Sequence, residues 1–110
     1  MRKIEQVNEF LLRELSLIIS RELPLEDGFI SISSVKCSPD LLSAKVKVLV
    51  LPDHKAGTAL KKLRGHSSMF AKILQKKIRF HHIPKFNWII DPSGREADEM
   101  ESLFNEIKNE

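Results

Sequence analysis

Between Ser43 and Asp53 the chain changes its hydrophobic period, and this change limits its fold more than any other feature. Ala44, Val46, Val48 and Val50 alternate with Lys45, Lys47, Leu49 and Leu51, the period of two that defines a strand with one buried face. Pro52 and Asp53 end the run. From about Lys55 the apolar positions Ala59, Leu60 and Leu63 fall at helical spacing instead. A strand that gives way to an amphipathic helix must bury both apolar faces against each other, so the chain reads as a layered α+β domain.

The flanking segments fit that frame. Ile4, Val7, Leu11, Leu15 and Ile18 form one stripe of a helix from Arg2 to Glu22, which Pro24 stops. Phe10 and Leu17 lie off the stripe and need a second neighbour, for which the C-terminal segment is the candidate. Ile30 and Ile32 alternate with Ser31 and Ser33 in a strand over 29–37, and the adjacent Ser33 and Ser34 break the period as a bulge does. Ser38, Pro39 and Asp40 supply turn chemistry, so this strand pairs with the next as an antiparallel hairpin. Gly65, His66, Ser67 and Ser68 interrupt the helix after Lys55, and two helices joined by a kink are expected, with Met69, Phe70, Ile73, Leu74 and Ile78 on the inner side of the second. After Pro84, Phe86, Trp88 and Ile90 alternate as a third strand. Met100, Leu103, Phe104 and Ile107 recur at helical spacing among acids. The expectation is one domain: helix, strand, strand, helix, kink, helix, strand, with a three-stranded sheet packed on helices and a short C-terminal helix. At 110 residues and 42% hydrophobic, the chain holds material for one core.

Charge divides the chain unevenly. Residues 54–90 carry nine Lys and Arg, all four histidines and no acid. Lys55, Lys61, Lys62 and Arg64 precede the expected kink, and Lys72, Lys76 and Arg79 follow it at i, i+4, i+7, so the last three project together and suit a sugar-phosphate backbone. Ser67 is a reasonable N-cap, and a helix start there aims free amides at an anion. The bland alternative is a solvated helical face. Such a face normally mixes signs, because like charges one turn apart repel by a few tenths of a kcal/mol each, so a long acid-free stretch favours an anionic partner.

Other chemistries are weaker. His81 and His82 point to opposite sides of an extended segment and do not readily share a metal, although a metal-dependent hydrolase built on them is a formal alternative that chelators would abolish. Cys37 alone makes neither an internal disulfide nor a thiolate zinc site and reads as a strand thiol in a reducing compartment. Trp88 belongs to the core by its alternation before it belongs to any base. No Walker loop, dinucleotide fingerprint or nucleophile elbow is present, no cofactor is implied, and neither a membrane span nor a leader is visible, which makes the cytoplasm the default address.

The distributed pattern resembles the ribosome-binding factor A family over nearly the whole chain. Val7, Asn8, Glu9, Glu14, Leu15, Ile18 and Ile19 resemble its first helix. Ser38, Pro39, Asp40 and Leu41, followed by Ala44, Lys45, Val46, Val48 and Val50, resemble its hairpin. Arg79, Pro84, Phe86, Trp88 and Asp91 resemble its last strand and flanks, and Ser93, Ala97, Met100 and Leu103 resemble its C-terminal segment more loosely. The resemblance implies a type II KH-like fold in residues 1–94 with an acidic helical tail in 95–110. It also implies a non-enzymatic factor that binds the free small ribosomal subunit and its 16S rRNA late in assembly, with links to rRNA 5′-end processing and growth in the cold. KH domains clamp RNA with a GxxG loop, which is absent here. The family carries a kink, usually Ala-x-Gly, where this chain has His66, Ser67 and Ser68, so Gly65 or Ser68 is expected to take the unusual backbone angles.

The RNA-binding residues expected are therefore Lys61, Arg64, Lys72, Lys76 and Arg79 as the electrostatic surface, His66, Ser67 and Ser68 as close backbone contacts, and Lys45 and Lys47 as secondary candidates, on a monomer. The alternatives are a general KH-type RNA binder, or a protein-interaction module acting through the acidic amphipathic tail.

Overall fold

A computed structural model describes residues 2–78 and 82–108. Helix α1 (Arg2–Glu22) leads into strands β1 (Phe29–Cys37) and β2 (Ser43–Leu51), then a 3-10 turn at Asp53–Lys55, helix α2 (Ala56–Gln75), strand β3 (Lys85–Ile90) and helix α3 (Ser93–Lys108). The strand order is β1-β2-β3, with β2 central. β1 and β2 are antiparallel, from Phe29 opposite Leu51 to Cys37 opposite Ala44, and the register slips between Ile32 and Ser34, at the serine pair whose broken alternation marks a bulge. β3 runs parallel to β2, Ser43 opposite Lys85 through Val48 opposite Ile90. Parallel neighbours need a long crossover, and α2 supplies it.

One face of this mixed sheet is covered. α1 lies against β1 and α2 against β3. Between helices and sheet sit Leu11, Leu15, Ile18 and Ile19 of α1, Val46, Val48 and Val50 of β2, Leu63, Phe70 and Leu74 of α2, and Phe86 and Trp88 of β3, all buried. Each such side chain contributes roughly 1.5–3 kcal/mol of transfer free energy. Trp88 meets Phe70 edge-on at 6.0 Å between centroids and Phe86 at 5.6 Å, which places it in the core as its alternation predicts.

Two expectations are overturned. The Gly65–Ser68 stretch does not divide the helix: α2 is one helix of 20 residues, and no glycine among the described residues has a positive φ. The polar side chains do not break the helix. Ser67 Oγ donates to the Leu63 carbonyl at 2.9 Å and His66 Nδ1 sits 2.7 Å from the Lys62 carbonyl, each bonding back to the preceding turn, an arrangement that helix interiors tolerate. The C-terminal segment also does not cover α1. Phe10 finds its neighbours in the core, whereas Leu17 stays 58% exposed, and α3 packs instead against β2 and the 3-10 turn. Its anchor is Gly94: a Cβ there would stand 2.5 Å from the Val50 carbonyl oxygen, so only glycine lets the first turn of α3 sit on β2. The Asp98 carboxylate then accepts from the Asp53 amide at 2.5 Å.

Candidate nucleic-acid interface

Because α2 turns Ala59, Leu63, Phe70 and Leu74 inward, its 3.6-residue period sends Lys61, Gly65, Ser68 and Lys72 outward along one stripe. Lys61, Arg64, Lys72 and Lys76 are the cations of this side of the helix, and among the described residues none of them forms an ion pair. Two other cations of the acid-free stretch are engaged and leave the face: Lys55 donates to the Glu26 carbonyl, and Lys77 to the Glu14 carboxylate of α1. Glu14 is nearly buried, and the Lys77 ammonium holds its carboxyl below the usual value against the opposing effect of burial.

Beside the cationic stripe, α2 and β3 enclose a groove of about 660 Å³. Arg64, Ser67 and Ser68 line it from α2; Lys85, Asn87 and Trp88 line it from β3, whose outer edge is free. Trp88 offers the groove little: its ring is buried, and its indole N–H donates to Ser67 Oγ at 2.7 Å. Ser67 thus accepts from Trp88 and donates to Leu63, joining the groove floor to the helix.

The structure sorts the expected site residues. Arg64, Ser67 and Ser68 come together at the groove, and Lys61, Lys72 and Lys76 form the adjoining crest. The backbone role expected of His66, Ser67 and Ser68 is corrected, because a helix interior has its amides bonded to the preceding turn and leaves none free for an anion. Ser67 is not an N-cap, and the half-buried His66 ring stacks on Phe70 at 6.2 Å. Lys45 and Lys47 project from the opposite face of the sheet, away from α2. Arg79 and His81 lie outside the described residues. Sequence reasoning missed Lys85 and Asn87 as groove walls: their outward parity is legible, but only the fold brings the edge strand β3 alongside α2.

No group of three or more potential metal ligands occurs among the described residues. Cys37 is half-buried and burial pushes its thiol up, the opposite of an activated nucleophile. Asp91 is drawn down to about 2 by the Ser33 hydroxyl at 2.5 Å and the Ser93 amide at 2.9 Å, so it terminates β3 as a fixed anion. No described helix is long and apolar enough to cross a membrane.

Residues 3–104 match the family model described as Ribosome-binding factor A. The ribosome-binding factor A of Thermomicrobium roseum is 34% identical over 104 residues, covering 93% of this chain and 81% of that protein. Its counterpart in Brevibacillus brevis is 33% identical, with 98% and 91% covered. Among solved structures, the crystal structure of ribosome-binding factor A from Thermus thermophilus aligns with a TM-score of 0.67 at 18% identity, covering 79% of this chain and 93% of that one. A Thermus thermophilus homology model fitted into a cryo-EM map of a 30S–ribosome-binding factor A complex aligns with a TM-score of 0.66 at 20% identity, covering 77% and 91%.

Proposed function

The chain belongs to the ribosome-binding factor A family, with its α+β, KH-like fold, and we propose that it binds the free small ribosomal subunit through 16S rRNA and assists late maturation, including processing of the rRNA 5′ end. In this reading it acts as a monomer in the cytoplasm, as a binding factor and not an enzyme, with residues 1–94 as the RNA-binding unit. The relative fitted into a 30S complex supports the choice of partner.

The observation that carries the proposal is the crest and groove of α2: Lys61, Arg64, Lys72 and Lys76 stand without an acidic partner among the described residues, beside a cleft of about 660 Å³. Lysines dominate this surface. An ammonium is a point charge that suits phosphate oxygens of any sequence, whereas bidentate base recognition favours arginine. The burial of Trp88 against Phe70 takes that ring out of base stacking in this groove. Recognition therefore rests on phosphate position and RNA shape.

The test is co-sedimentation with purified free small subunits from about 50 to 200 mM salt, wild type against Lys61→Glu/Arg64→Glu/Lys72→Glu/Lys76→Glu, with folding checked by circular dichroism. Weakened binding and a salt slope shallower by about 3 are expected, at roughly 0.7–0.9 per phosphate contact. Unchanged binding by the folded variant makes the α2 face mere solvated surface and ends the proposal.

A further inference from the structure

The face of the sheet opposite the helices is also basic. Lys45 and Lys47 point outward from β2, Lys36 stands directly opposite Lys45 on β1, and Lys85 continues the same face on β3 one row beyond Asn87, which is opposite Lys45. All four lysines are exposed, and among the described residues none forms an ion pair. Strand geometry sets the Cα atoms of these residues about 5 Å apart across strands and about 7 Å apart along β2. α3 leaves this area uncovered, since Gly94 seats it on Leu49, Val50 and Leu51, at the far end of β2 from Lys45. The carboxylate that does act on this face, Asp91, beside Lys47, is already bonded by Ser33 and the Ser93 amide.

A protective role explains only part of this pattern. Lysines on edge strands block edge-to-edge pairing, which accounts for Lys36 and Lys85. Lys45 and Lys47 lie on the central strand, which has no free edge. Like charges directly opposite each other across a ladder destabilise it, so the Lys36–Lys45 pair is a cost that folding alone does not explain.

We infer that this sheet face is a second RNA-binding surface, which grips the sugar-phosphate backbone of a separate RNA segment through Lys36, Lys45 and Lys47, so that the protein bridges two segments held on opposite sides of the molecule. This rests on the RNA-binding reading above and adds a second contact to it. The absence of arginine from the three makes the contact sequence-neutral.

The test uses the full chain and two copies of one short RNA hairpin, one biotinylated and bead-bound, the other fluorescent. The wild type is expected to retain the fluorescent hairpin on the beads. Lys36→Gln/Lys45→Gln/Lys47→Gln, which spares the groove wall Lys85, is expected to lose that retention while still binding single hairpins in anisotropy, with a salt slope on small subunits smaller by about 2. The α2 charge-reversal variant is expected to lose retention too, yet to keep weak single-hairpin binding through the sheet. Wild-type retention by the sheet variant overturns the second surface and leaves the α2 proposal standing. Loss of all hairpin binding by the α2 variant also overturns it. Failure of the wild type to bind any hairpin overturns both.

Discussion

α2 and α3 carry apolar stripes of the same period, yet they meet opposite fates. α2 buries Ala59, Leu63, Phe70 and Leu74 completely. α3 leaves Met100 54%, Leu103 51%, Phe104 62% and Ile107 59% exposed. The flanking charge is opposite as well: the outer side of α2 is cationic, and that of α3 carries Glu96, Glu99, Glu101 and Glu106. Periodicity reports that a helix has a face to hide but not whether the same chain supplies the cover. For α2 the cover is β3 and α1. For α3 only the first turns are seated, through Gly94 and Asp98.

The strongest way to break this contrast is truncation on each helix. Phe70→Ala removes a fully buried ring that touches Trp88 and is expected to cost about 3–5 kcal/mol, whereas Phe104→Ala is expected to stay within about 0.5 kcal/mol. Urea unfolding of the two variants checks this. Comparable losses would mean that α3 is covered in the free protein after all.

A finer test stays on α2 and compares adjacent serines. Ser67→Ala strands the indole N–H of Trp88 without its acceptor and is expected to cost about 1–3 kcal/mol, whereas Ser68→Ala, on the outer stripe, is expected to cost less than about 0.5 kcal/mol. On small subunits the ranking should differ, since Ser68 lines the groove from the outer side. Equal stability losses would deny Ser67 its structural role.

The serine pair also shows where the sequence stops being legible. The strands, the bulge at Ser33–Ser34 and the helix boundaries near Glu22 and Lys55 follow from alternation, proline positions and turn chemistry, all of which act over a few residues. The interruption expected at Gly65–Ser68 follows the same local rules and fails, because the hydroxyl of Ser67 serves Leu63 and Trp88 at once, and the second partner lies 21 residues away. The cationic stripe of α2 is readable from spacing. Its separation from Lys45 and Lys47, and the pairing of Lys36 with Lys45, depend on which face of the sheet the helices choose and on where the bulge shifts the register.

The ion pairs sharpen the comparison of the two helices last. Arg95 and Glu99 lie one turn apart on exposed α3 at 3.4 Å, a pair worth about 0.3–0.5 kcal/mol at most. Lys77, just beyond α2, reaches instead to Glu14 on α1, whose side chain is only 11% exposed. Removing the ammonium with Lys77→Met leaves the nearly buried carboxylate to the exposed Arg13 at 3.6 Å, and the expected loss at neutral pH is about 1–2 kcal/mol, toward the low end for charged hydrogen bonds because Lys77 itself is half exposed. The folded-state value of Glu14 is lowered from 4.5, so the unfolded chain takes up its proton first as pH falls. The pair's contribution is therefore complete above the ordinary carboxylate range and fades as pH drops below 4.5 toward the lowered folded value. Thermal melts of wild type and Lys77→Met from neutral to acid pH should converge, with the gap closing only below that range. A gap that persists unchanged into acid would show that Lys77 acts through its aliphatic stem, and that α2 is held to α1 by packing alone.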